Sequence, residues 1–116
     1  MHNFEKLNVY QKALNIVDYV YDVTKKFPKE ELFALTNQFR RAIVSIVLNI
    51  AEGSGRSKKD FVHFLNMSRT SAYECSAISQ IASRRKYLSE EEFRYIYQEL
   101  EVIIKMLNRL KQSIGD

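Results

Sequence analysis

Residues that reverse the chain are scarce in this sequence, which has three glycines and one proline among 116 residues. A sheet protein needs frequent turns, whereas a helical bundle needs only three short connections, so the scarcity favours helices. Cysteine is scarcer still. Cys75 stands alone and can form no internal disulfide, which fits a reducing compartment. Long apolar runs are missing too. The longest, Ala42 to Ala51, is broken by Ser45 and Asn49 and falls short of the roughly 20 residues that span a membrane. The opening Met1-His2-Asn3-Phe4-Glu5-Lys6 shows no basic-then-apolar leader pattern. A cytoplasmic protein without membrane attachment is the expectation.

Catalytic groups are equally sparse. His2 and His63 are the only histidines, and with one cysteine they make no zinc pattern. The stretch Gly53-Ser54-Gly55-Arg56 lacks the spacing and the Lys-Ser/Thr pair of a phosphate-cradling loop. No serine has a histidine near enough in sequence to suggest activation. The chain is expected to have no enzymatic activity, no cofactor and no metal.

What is present is apolar periodicity. Apolar residues make up 46% and charged residues 28% of the sequence, an ordinary globular balance for one domain over 1–116. A first helix is expected over about 7–27, with Leu7, Tyr10, Leu14, Val17, Tyr21 and Thr24 as its inward seam and Pro28 as its stop. A second is expected over about 30–52, with the seam Leu32, Leu35, Phe39, Ile43, Ile46 and Ile50, ending in the turn Glu52 to Gly55. Ser57, with Asp60 three residues on, caps a third over about 57–88, whose seam is Phe61, Phe64, Ser68, Ser71, Cys75, Ile78 and Ala82. Ser89 caps a fourth over about 90–114, with Phe93, Ile96, Leu100, Ile103, Leu107, Leu110 and Ile114 inward. Short connections force neighbouring helices to run antiparallel, so the fold class is all-α, an up-down-up-down four-helix bundle.

Two helices carry more apolar surface than a lone bundle uses. The first has a second stripe of Val9, Ala13, Ile16, Val20, Val23 and Phe27, and the second has Phe33, Val44, Val47, Leu48 and Ala51. Such stripes fit either a wide contact inside the bundle or burial against another chain. Self-association with closed symmetry is the preferred reading. The third helix instead has many small side chains, which fit a tightly packed seam.

Charge is uneven along the chain. Net charge is +4, yet residues 53–88 alone hold seven Lys/Arg against two Asp/Glu. That excess fits a polyanion partner or a solvated basic face. The antiparallel layout gathers Lys6, Arg56, Lys58, Lys59, Arg109 and Lys111 at one end. It gathers Lys25, Lys26, Lys29, Arg84, Arg85 and Lys86 at the other, where Glu30, Glu31 and Glu90 to Glu92 partly cancel them. Arg56, Lys58, Lys59, Arg84, Arg85 and Lys86 are the candidate nucleic-acid contacts. Tyr73, Tyr87, Tyr95 and Tyr97 are stacking surfaces or core-edge packing.

In the second helix Gln38, Arg41, Ser45, Asn49 and Glu52 recur at 3-4 spacing on one face. A buried charge needs a partner, and Glu74 is placed by the fold within reach of Arg41. Arg41, Ser45, Asn49, Glu52 and Glu74 read as a structural polar network, or as a ligand groove.

The string Gln38-Phe-Arg-Arg-Ala-Ile-Val-Ser-Ile-Val-Leu-Asn-Ile-Ala-Glu-Gly-Ser-Gly-Arg56 resembles the signature of the bacterial 23S rRNA intervening-sequence proteins. Phe4-x-x-Leu7-x-Val9-Tyr10-Gln11-Lys12-Ala13, Phe27-Pro28-Lys29-Glu30-Glu31 and Ser71-x-Tyr73-Glu74 extend the resemblance over nearly the whole chain. It implies a four-helix bundle assembled as a homopentamer, with no established enzymatic activity. It also implies kinship with the accessory proteins of diversity-generating retroelements, pentamers that bind nucleic acid and a reverse transcriptase. One departure stands out: a Gly-Ser pair common in that family reads Arg69-Thr70-Ser71 here, adding bulk or charge to the third helix. The expected function is that of an oligomeric accessory protein binding RNA or other nucleic acid. The alternative is an oligomeric scaffold for a protein partner.

Overall fold

The structure, a computed structural model, describes residues 1–115. Four long helices form it: α1 Asn8–Thr24, α2 Asn37–Ser54, α3 Lys58–Arg84 and α4 Glu90–Gly115. Short 3-10 turns at Asn3–Lys6 and Lys29–Glu31 complete it, and no strand occurs among the described residues. The helices pack in a ring, α1 on α2, α2 on α3, α3 on α4 and α4 on α1. The result is an antiparallel four-helix bundle 43 Å long and 23 by 22 Å across.

Each boundary has a local cause. The Asp60 backbone N–H donates to Ser57 Oγ at 3.2 Å and starts α3. Ser89 and Glu92 exchange reciprocal bonds at α4: Glu92 N–H donates to Ser89 Oγ at 3.0 Å, and Ser89 N–H donates to the Glu92 carboxylate at 2.9 Å. At the end of α3, Tyr87 N–H donates to Ala82 O at 2.8 Å and Lys86 N–H to Ser83 O at 3.0 Å. This is the Schellman pattern, and its left-handed position is filled by Lys86 at φ 65°. Hence α3 stops at Arg84 rather than near 88.

The start of the second helix departs from expectation. Pro28 and the 3-10 turn lead into a π-helical turn, Leu32–Thr36, before α2 begins. The wider turn shifts the helical phase, so Leu32 and Phe33 are exposed while Phe39 is fully buried. The Thr36 hydroxyl within it is buried without a hydrogen-bond partner among the described residues.

The inward face of α1 is also reversed. Val9, Ala13, Ile16, Val20, Val23 and Phe27 are buried, joined from the expected seam only by Thr24, while Leu7, Tyr10, Leu14 and Val17 flank the core and Tyr21 is exposed. The stripe that spacing makes surplus is the core seam. The small β-branched and Ala side chains of this stripe let α1 close on its neighbours, and the tyrosine hydroxyls of the other stripe stay wet.

The small residues of α3 permit a close approach to α2. Ser68, Ala72, Cys75, Ser79 and Ala82 are fully buried. Gly53 does not end the helix, which continues to Ser54; it makes room for α3. A Cβ there would lie 2.7 Å from Phe64 Cβ and 3.0 Å from the Phe61 ring.

Candidate nucleic-acid interface

The up-down order brings the C-terminal ends of α2 and α4 together with the N-terminal end of α3. Lys58 and Lys59 open α3, and Lys6 lies in the 3-10 turn that touches α2. All are exposed, as is Arg109 on α4. Among the described residues none of Lys6, Lys58, Lys59 or Arg109 forms an ion pair with a carboxylate. Arg56 differs. Its guanidinium meets the Glu52 carboxylate at 2.5 Å and lies over the Phe64 ring, 5.0 Å from its centre. The Glu52 hydrogen bond, followed by its charge, pushes the Arg56 pKa upward.

At the opposite end two of the six cations are paired with carboxylates among the described residues. Lys26 pairs with Glu92, and Lys25 with Asp22 at 3.6 Å. The Tyr87 hydroxyl donates to Glu31 at 2.9 Å. Arg85 is held further toward its charged form by Tyr87 first, and then by Glu31 and Glu30. Arg84 and Lys86 are exposed there and make no ion pair among the described residues. The two ends differ chiefly because Glu30, Glu31 and Glu90 to Glu92 stand among the cations of the second end, so the Lys58–Lys59 end carries the more open positive charge.

The polar line of α2 is joined only in part. Ser45 Oγ and Ser71 Oγ share a hydrogen bond of 2.9 Å between α2 and α3. Asn49 Nδ2 donates to Ser45 O at 2.8 Å and to Ser45 Oγ at 3.0 Å. Glu52 turns to Arg56 instead. Arg41 and Glu74 line one groove with Phe33, Gln38 and Ser45, but form no ion pair. Both are exposed, so neither charge requires a partner. Ser71, read from sequence as a seam residue, is the member that ties this line to α3.

A second line, between α3 and α4, carries no mark in the sequence. Arg69 Nη1 donates to Asn108 Oδ1 at 2.9 Å, and Lys111 Nζ donates to Asn66 Oδ1 at 3.1 Å. Arg69 thus reaches across to α4. The two asparagines give no sequence signal until the register of α3 and α4 is known.

The tyrosines divide between packing and exposure. Tyr87 packs on Phe27, with ring centres 5.4 Å apart, and Tyr95 on Tyr19 at 4.5 Å. Tyr97 leans on Phe93 at 5.9 Å. Tyr73 is 56% exposed and stacks on no ring among the described residues.

Among the described residues no group of His, Cys, Asp and Glu could hold a metal ion. Burial, then the neighbouring charge of Glu74, pushes the Cys75 thiol far above its ordinary range. A protonated, enclosed thiol is a poor nucleophile. No helix among those described is long and apolar enough to cross a membrane.

These features agree with what the sequence is similar to. One solved structure is that of a protein of unknown function from the S23 ribosomal protein family of Bacteroides thetaiotaomicron VPI-5482. It superposes with a TM-score of 0.82 at 25% identity, covering 90% of this chain and 95% of that one. No curated protein matches. The description of the 23S rRNA-intervening sequence proteins matches residues 5–109, and the chain belongs to that family.

Proposed function

We propose that this protein is a non-enzymatic, homo-oligomeric accessory protein, pentameric by family resemblance, that binds RNA through basic clusters repeated around the assembly. The observation that carries the reading is the contrast between the two ends. Among the described residues Lys6, Lys58, Lys59 and Arg109 form no ion pair where α2, α3 and α4 converge. At the opposite end Lys25 and Lys26 are paired and five glutamates stand among the cations. Counterion release makes each such cation a contributor to polyanion affinity, and a ring multiplies the contribution by its copy number.

Self-association draws support from the outer surface of α1 and α2. Leu14 and Val17 on α1, with Val44 and Ala51 on α2, are only half-buried, and Leu48 is 60% exposed. The apolar surplus expected on α1 is thus smaller than its two stripes imply, yet these side chains stay only partly covered. Burying them against another copy removes that surface from water.

Titrating single-stranded RNA against the protein at two salt concentrations tests the reading. Binding at about 50 mM salt should weaken steeply by about 200 mM, and reversing Lys58 and Lys59 to Glu should weaken it further. Absence of binding at the lower salt contradicts the reading.

A scaffold for a protein partner is the second reading, favoured by Phe33, which is 91% exposed beside the Arg41–Glu74 groove. In that case a nuclease-resistant partner is retained after charge reversal at Lys58, Lys59, Arg84 and Arg85, and lost in Phe33→Ser.

A further inference from the structure

We infer that the outer seam between α3 and α4 is a second phosphate-binding site, built on Arg69 and Lys111, along which an RNA strand runs from the Lys58–Lys59 end toward Tyr73. This rests on the nucleic-acid reading above and assigns it a surface along the side of the bundle.

The choice of partner atoms leads there. Two of the cations that join other helices of this bundle meet carboxylates, Lys12 with Glu99 between α1 and α4 at 2.9 Å and Lys26 with Glu92 at the opposite end. Arg40 of α2 donates to Thr24 Oγ1 and Tyr21 O on α1. Between α3 and α4 the same cross-helix task falls to amides. Asn108 accepts from Arg69 and Asn66 accepts from Lys111. An amide oxygen satisfies a donor and fixes its direction, but leaves the full positive charge uncancelled. Neither cation has a carboxylate ion-pair partner among the described residues. Both are half-buried, and each has N–H groups beyond the one that bonds its asparagine.

The spacing suits a chain of phosphates. Asn66 and Arg69 are one turn apart on α3, as Asn108 and Lys111 are on α4, so the two cations stand about 5 Å apart along the axis. Lys59 precedes Arg69 by ten residues, about 15 Å nearer the basic end. Lys105 extends the line one turn along α4, and Glu101, the next turn on, is the carboxylate that closes it. Tyr73 shares the Asn66–Arg69 face by helical spacing, and its exposed ring offers a base a stacking surface at the far end.

The test exploits a trade-off that a purely structural clamp does not have. Asn66→Asp and Asn108→Asp turn each amide partner into a carboxylate, which neutralises the cation while keeping its hydrogen bond. Melting temperature should hold or rise. Affinity for single-stranded RNA at low salt should fall roughly tenfold for each substitution, and the slope of log K against log salt should flatten by about 0.7 for each phosphate no longer neutralised. Unchanged affinity and slope in a folded, more stable double variant would overturn the inference. If that variant does not fold, Arg69→Gln with Lys111→Gln keeps donors for the amides and should show the same loss; unchanged binding there overturns it equally. Failure of the unaltered protein to bind RNA at low salt is a different result, and removes the broader reading as well.

Discussion

The hydroxyl of Ser68, fully buried on α3, donates to the carbonyl oxygen of Ile46 on α2 at 2.8 Å. A side chain this short can reach a neighbouring backbone only if the helices lie very close. Ser68→Ala removes one buried hydrogen bond and should cost about 1 kcal/mol. Ser68→Leu must also force the helices apart and should cost about 3 kcal/mol or more. Denaturant midpoints rank the two, and equal midpoints would mean that the approach is not tight.

Gly53 makes the same point from α2. In an open helix, replacing Gly by Ala stabilises by nearly 1 kcal/mol. Here the added methyl meets Phe64 Cβ at 2.7 Å, an atom fixed to the α3 backbone. Gly53→Ala should therefore destabilise by about 1–3 kcal/mol, while Gly55→Ala, with nothing within 4 Å of its Cβ position, should be nearly neutral or better. Paired thermal melts of the two variants check the sign.

Lys86 occupies a left-handed conformation, φ 65°, that a glycine adopts without strain. Lys86→Gly should stabilise the protein by about 1 kcal/mol, raising Tm by roughly 4 °C. Lys86→Ala, which keeps the strain, should not.

Glu92 links α4 to Lys26 and caps its own helix. Burial works to raise its pKa, but the hydrogen bonds from Lys26 and from Ser89 prevail and lower it below the ordinary 4.5. Its ionised form is thus favoured by folding. That stability is complete above pH 4.5 and is lost as pH falls below it through the folded value. Denaturation measured between neutral pH and about pH 3 should show Glu92→Gln less stable at neutral pH, with the gap to the unaltered protein narrowing as pH drops. A gap that widens in acid would contradict the assignment.

How much of the fold is legible in the sequence depends on which physical signal is unique. The α4 seam of Ile96, Leu100, Ile103 and Leu107 has one apolar stripe and no competitor, and all four residues are buried as their spacing requires. Ser89 with Glu92 names its own helix start. On α1 two apolar stripes have the same period, so spacing cannot choose between them. The preference of tyrosine hydroxyls for water is the signal that separates them. The π-helical turn at Leu32–Thr36 changes phase without any marker in residue type, which is why spacing puts Leu32 inward although it is exposed.

The candidate site is less legible for a related reason. Lys58 and Lys59 follow a turn and announce themselves by density. Arg41 and Glu74 are brought to one groove by chain reversal, but their exposure, which decides whether they must pair, belongs to the folded surface alone. Arg69 with Asn108, and Lys111 with Asn66, are 39 and 45 residues apart. Only the register between α3 and α4 makes them partners.

If the function resides in a surface assembled from many copies, mass in solution decides the matter most directly. Light scattering on the protein, free of nucleic acid, should give a particle near five times the 13.7 kDa of one chain, and Leu48→Glu with Val44→Glu should reduce it. A particle of 13.7 kDa across working concentrations would contradict the account, because a single bundle cannot multiply its basic end into a surface for RNA.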